Sequence, residues 1–152
     1  MSKESMPSLP CMCASFRRAS RALTQLYDQA LRPTGLRATQ FTVLQALELA
    51  GEVTQGELGE ILAMDSTTLT RTLAIMVRRG WIAVRPGEDR RERRLRLSPA
   101  GQHQLKRGLE QWEKVQRRLQ RRLQRRLGSN RWQSLLKLTN QVAAVAIQPA
   151  AR

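Results

Sequence analysis

Aromatic side chains make up 4% of this 152-residue chain, and it holds one histidine and two cysteines. Each shortage removes a class of function. Nucleophilic or acid–base catalysis needs a His, Lys or Cys clustered with a base and an orienting group. The lone His103 and the missing glycine-rich phosphate loop supply no such set, so the chain is expected to be no enzyme and to carry no cofactor. Two cysteines make no disulfide framework. Long apolar runs are missing too: the longest near the end, residues 142–147 (VAAVAI), falls far below the roughly 20 residues of a membrane helix. The first residues lack a basic segment followed by an apolar one, so no secretory signal is read there. A soluble, cytoplasmic protein with no membrane partner is expected.

Acidic residues are also few. Twelve Asp and Glu stand against 27 Lys and Arg, a formal charge of +15. Such a charge concerns partners rather than fold, and the partners it suits are polyanions: nucleic acid or an anionic membrane surface.

What is present is organised along the chain. Residues 1–10, polar with two prolines, read as a disordered tail, and 11–152 as one domain. A helix over about 11–32 carries Phe16, Ala19, Leu23, Leu26, Tyr27 and Ala30 at three- and four-residue steps and stops near Pro33 and Gly35. Residues 39–50 form a second helix that buries Phe41, Val43, Leu44 and Leu47. Thr54 caps a third over 55–63, with Leu58, Ile61 and Leu62 inward. Asp65 or Ser66 caps a fourth, its apolar side Leu69, Leu73, Met76 and Val77, ended by a left-handed Gly80. Residues 81–84 and 93–97 read as two strands of a hairpin whose turn contains Pro86-Gly87 and Glu88-Asp89. Ser98-Pro99 opens a long helix with a stripe from Leu105 to Leu127, and a last helix follows the break at Gly128-Ser129.

The fold class is therefore mainly α with a small β-hairpin wing. A winged helix-turn-helix over about 36–100 is framed by long helices over about 11–32 and 99–147. The apolar faces of those framing helices exceed what a small winged core can cover, which points to a homodimer around a two-fold axis.

Residues 65–101 carry the chemistry. Ser66, Thr67, Thr68, Thr70 and Arg71 point away from the apolar stripe of the fourth helix. Hydroxyls bond phosphates or base edges, and an arginine clamps a phosphate or binds guanine with two donors. The same residues also make an ordinary helix start. The hairpin holds Arg85, Arg90, Arg91, Arg93, Arg94 and Arg96 against Glu88, Asp89 and Glu92. Its arginines suit a narrow, strongly negative minor groove, and Asp89 is placed to pair with Arg91 or Arg93. A merely solvated hairpin is the plain alternative. The long helix stacks Arg117/Arg121/Arg125 and Arg118/Arg122/Arg126 at four-residue spacing, either a solvated face or a polyanion contact. Cys11 and Cys13 suit a soft metal such as Cu(I), an oxidation sensor, or small buried packing. Double-stranded DNA is the expected partner of the whole; a non-specific architectural nucleic-acid binder is the alternative.

The stretch LAMDSTTLTRTLAIMVRRGWIAVRPGEDRRERRLRLSPAG resembles the MarR family of bacterial regulators. The likeness rests on Leu69-Thr70-Arg71, Gly80-Trp81, Asp89-Arg90-Arg91 and the LSPAG start of the fifth helix. The resemblance implies a homodimer joined by the first, fifth and sixth helices, binding an inverted repeat. Its usual role would be that of a repressor released by a small phenolic or aromatic ligand or by cysteine oxidation. It further implies that Thr70 and Arg71 read the major groove, that Arg91 enters the minor groove, and that Asp89 orients Arg91. The effector pocket would lie between the dimer helices and the winged domain, with Phe16, Leu23, Tyr27 and Phe41 as candidates for its lining and equally for core. Two features depart from the family pattern: the arginine density of the fifth helix, and a cysteine pair in place of one sensing cysteine beside tyrosines.

Overall fold

In the computed structural model, the described residues are 10–87, 89 and 92–147; the expected tail, apart from Pro10, lies outside them. Six helices and three short strands follow in the order α1 (Met12–Leu31), α2 (Ala38–Ala50), β1 (Val53–Thr54), α3 (Gln55–Leu62), α4 (Ser66–Arg78), β2 (Ile82–Pro86), β3 (Arg93–Leu97), α5 (Pro99–Leu127) and α6 (Ser129–Ile147). The strands form one antiparallel sheet in the order β1-β3-β2. Register pairs Val53 with Leu95 and Val84 with Leu95 from the other side, so β3 is the central strand. Two-residue β1 escaped the sequence reading because no alternation can show in so short a segment.

Local chemistry sets the helix ends. α1 runs into a 3₁₀ turn at Arg32–Thr34, where Pro33 cannot continue the helix, and Gly35 takes φ +75°. Asp28, near the end of α1, reaches over this turn. Its Oδ1 accepts the Ala38 N–H at 2.6 Å and its Oδ2 pairs with Arg37 at 3.3 Å, so one carboxylate caps α2 from outside. Thr54 and Glu57 form a reciprocal capping box at the start of α3. Asp65 caps α4 by accepting the Thr68 N–H at 2.9 Å. Gly80, at φ +73°, ends the turn after α4, and the Trp81 N–H donates back to Met76.

The core gathers Leu31, Phe41, Leu44, Leu47, Leu58, Leu69, Leu73 and Met76 with Ile82 and Leu95. Leu58 and Leu69 lock α3 against α4; burying such a side chain stabilises by about 1.5–3 kcal/mol. The exposed Arg117–Glu113 pair contributes at most about 1 kcal/mol. Apolar burial therefore outweighs a surface pair of this kind in holding the fold. Two inward assignments are corrected here. Ile61 is 54% exposed and Val77 40%. At about 100° per residue, Leu62 lies nearer the Leu58 face than Ile61 does, and Val77 drifts off the Leu69–Met76 line.

α5 is pinned to the sheet at its first turn. The Ser98 N–H donates to the Trp81 carbonyl at 3.1 Å, and Ser98 Oγ accepts the Gly101 N–H at 3.0 Å. A Cβ on Gly101 would sit 2.0 Å from that Trp81 oxygen, which explains why glycine stands here. Farther along, Gln104 Nε2 donates to the Thr34 carbonyl at 2.6 Å and ties α5 to the α1–α2 turn. The winged unit thus hangs from α5 at a set angle, and the rest of α5 leads away from it.

Candidate nucleic-acid interface

α3 and α4 meet through a turn in which Ala63 adopts φ +49°. Because Leu69, Leu73 and Met76 are buried, the opposite side of α4 must face outward. Ser66, Thr67, Thr68, Thr70 and Arg71 are all exposed there, as the sequence implies.

These hydroxyls differ in what they have left to offer. Thr68 Oγ1 donates to Asp65 Oδ2 at 2.6 Å, so Thr68 serves the cap. Thr70 Oγ1 accepts from Gln55 Nε2 at 2.8 Å, which leaves its own proton as an outward donor. Gln55, at the start of α3, was missed in the sequence; only the packing of two helix starts brings it beside Thr70. The acids at these helix starts hold their charge. Hydrogen bonds from the Thr68 hydroxyl and N–H keep the Asp65 carboxyl below its ordinary range. Bonds with the Thr54 backbone and hydroxyl do the same for Glu57.

The hairpin stands next to this face. Arg93 opens β3 opposite Pro86, and Arg94 stands opposite Arg85. Arg94 Nε pairs with Glu92 at 3.2 Å, and the Glu92 N–H donates to the Asp89 carbonyl at 2.9 Å, closing one side of the turn. Arg90 and Arg91, named from the sequence as wing-tip residues, lie outside the described residues. A groove of about 920 Å³ joins the two halves, lined by Gln55 and Gly56 from α3, Ser66 and Leu69 from α4, and Arg93 from the hairpin. Ser66 and Arg93, 27 positions apart in the chain, thus share one concavity. Arg79 is spent elsewhere: its guanidinium donates to the Gly35 carbonyl at 3.1 Å and lies 4.9 Å from the centre of the Trp81 ring. It braces the end of α4 instead of facing a ligand.

A second concavity, about 730 Å³ and mostly apolar, runs between α1, α2, α5 and α6. Phe16, Leu23, Tyr27 and Phe41 all line it. Phe41 is its floor and belongs to the core, with its ring 6.2 Å from that of Trp112. Phe16 and Leu23 are each 40% exposed on its rim. The Tyr27 hydroxyl donates to Gln116 Oε1, and burial pushes its phenol above the ordinary value.

Cys11 and Cys13 are free and exposed at the start of α1, so among the described residues neither is packed as a small buried side chain. Among the described residues no three His, Cys, Asp or Glu side chains stand together as a metal site, and no helix is long and apolar enough to cross a membrane.

Residues 34–92 match the model of the MarR family. The HTH-type transcriptional regulator YwoH of Bacillus subtilis is 34% identical over 76 residues, 50% of this chain and 56% of that protein. The chain spans just over half the length of the curated relatives it matches. Among solved structures, the M. tuberculosis transcriptional regulator MosR in complex with DNA superposes with a TM-score of 0.76 at 34% identity, covering 91% of this chain and 99% of that one. A mutant MarR from E. coli complexed with operator DNA gives 0.74 at 25% identity, covering 86% and 92%.

Proposed function

The chain belongs to the MarR family, and from that membership we propose that it is a dimeric, sequence-specific regulator of transcription that represses from an inverted-repeat operator. The observation that carries the reading is the outward face of α4, where Thr70 and Arg71 stand free of the core beside an arginine-rich hairpin. In this reading α4 lies in the major groove, with Thr70 and Arg71 on base edges and Ser66 and Thr67 on phosphates. Gln55, held to Thr70, aligns that hydroxyl. The hairpin follows the backbone with Arg93 and places Arg90 and Arg91 at the minor groove, Asp89 orienting Arg91. Two neighbours that superpose on most of this chain were solved with DNA bound, which supports this placement.

The second protomer covers the outer helices. Phe16, Leu23, Leu135, Leu136, Leu138 and Val145 are between 40% and 72% exposed on α1 and α6. An unpartnered apolar surface of that extent marks an interface. Two chains joined there present two α4 helices to one duplex. Release from DNA would act at the same helices. An aromatic or phenolic molecule fits the apolar cleft above Phe41, where Tyr27 and Gln116 supply its polar contacts. Thiol or soft-metal chemistry at Cys11 and Cys13 would act on the start of α1.

Selection of bound genomic fragments tests the reading. The best fragment should bind about 10³-fold or more tighter than a random duplex at the same salt. Both affinities should fall steeply as salt rises. A ratio near one would instead identify a non-specific architectural binder.

A further inference from the structure

The far half of α5 holds a concentration of charge that the interface above does not use. From residue 114 to residue 126 the helix carries Lys114, Arg117, Arg118, Arg121, Arg122, Arg125 and Arg126 and no acid. All six arginines are exposed. Only Arg117 has an acidic partner among the described residues, Glu113 at 3.1 Å. Like charges four residues apart weaken a helix, and here they recur in two rows. The apolar side chains Leu119 and Leu123 line the cleft toward α1 and α6, so Arg117, Arg121 and Arg125 stand on the opposite face. Arg118, Arg121 and Arg125, with Gln124 and Ser129, border a shallow cleft of about 600 Å³.

Position separates this surface from the helix and wing. Gly101 fixes the start of α5 against Trp81. At 1.5 Å per residue, the arginines begin about 24 Å beyond that point and extend to about 38 Å.

We propose that this arginine face is a second contact surface for double-stranded DNA, which lets a protein seated on one duplex hold another. The choice of duplex rests on the DNA-binding reading above; the existence of a polyanion site does not. Side chains four residues apart step about 6 Å along α5. Phosphates of one strand rise about 3.4 Å per nucleotide along the duplex axis and wind around it as they rise, so the path between neighbouring phosphates is longer than the rise and comes close to that step. The face holds no aromatic side chain on which unpaired bases would stack. Leu127, 38% exposed at the far end of the helix, is the one large apolar side chain exposed beside these charges among the described residues of α5, which is too little for a helix lying in a lipid surface. Backbone contact with a duplex is what remains.

The test uses the full-length protein and two duplexes of random sequence, one fixed to beads and one fluorescent, with the triple variant Arg118→Gln, Arg121→Gln, Arg125→Gln. Glutamine keeps helix propensity, and helicity by circular dichroism checks the fold. Wild type should bind the fixed duplex and capture the fluorescent one. The triple variant should stay within about threefold on the fixed duplex but lose capture by about tenfold or more. The salt slope of capture should fall by about 2.7, or 0.9 for each arginine removed. Unchanged capture by the variant overturns the proposal, as does single-duplex binding by wild type with no capture. Double-stranded RNA or phosphatidylserine vesicles captured in preference to DNA would also overturn it. Failure of wild type to bind even the fixed duplex at low salt would instead strike the DNA-binding reading itself.

Discussion

Replacing Arg71 with alanine is expected to lower affinity for the selected operator by roughly 30-fold or more. A bidentate arginine–guanine contact discriminates by about 1–3 kcal/mol, and a dimer makes two of them. The loss should be unequal across sequences. The operator should suffer, and one base position in each half-site should lose its preference, while a random duplex changes little. Arg71→Lys should not restore the preference, because a lysine cannot present the planar pair of donors. Titration of wild type and variants at fixed salt on operators with single base changes reads all of this. If Arg71→Ala weakened every duplex equally and reduced the salt slope, Arg71 would be a phosphate contact only. Reading would then fall to Thr70 and its neighbours.

Breaking the dimer should cost more. Leu138 and Val145 are 58% and 72% exposed on α6 and lie outside the apolar cleft, so charges there disturb the protomer little. The pair Leu138→Glu, Val145→Glu should halve the mass in solution while leaving the helical signal and the winged unit intact. Operator affinity should fall by about 10²–10⁴, the advantage of linking two binding units. Mass by light scattering and affinity by titration belong together here. A variant that stays dimeric would remove α6 from the interface. A monomer that keeps full affinity would remove the need for two half-sites.

The fold was legible wherever a residue type forces a local outcome. Gly80, Thr54, Asp65 and Ser98-Pro99 mark helix ends by caps and φ values alone, and the structure places those ends within a residue or two. The apolar stripe of α4 could be read because its thirteen residues cover more than three turns. In eight-residue α3 the stripe is too short to tell Ile61 from Leu62, so one was misplaced. Contacts made between distant segments stayed hidden. No periodicity announces that Asp28 caps α2, that Gln55 meets Thr70, or that Arg79 is held by Gly35 and Trp81. For the interface the same division holds. Composition and order reveal the α4 face and the hairpin, because charge and hydroxyls on an exposed helix need no tertiary knowledge. That Ser66 and Arg93 border one groove follows only from packing; Phe16, Leu23, Tyr27 and Phe41 came as pocket candidates from the family resemblance, and packing shows which of them are rim and which is core.

Hydroxyl-radical footprinting of the protein on its selected genomic fragment tests the central claim most directly, since it asks whether the chain is half of a two-fold reader. Two protected patches related by two-fold symmetry are predicted, their centres about one helical turn, 10–10.5 base pairs, apart or a multiple of it. Protection of a single patch, or uniform protection along the fragment, would contradict it.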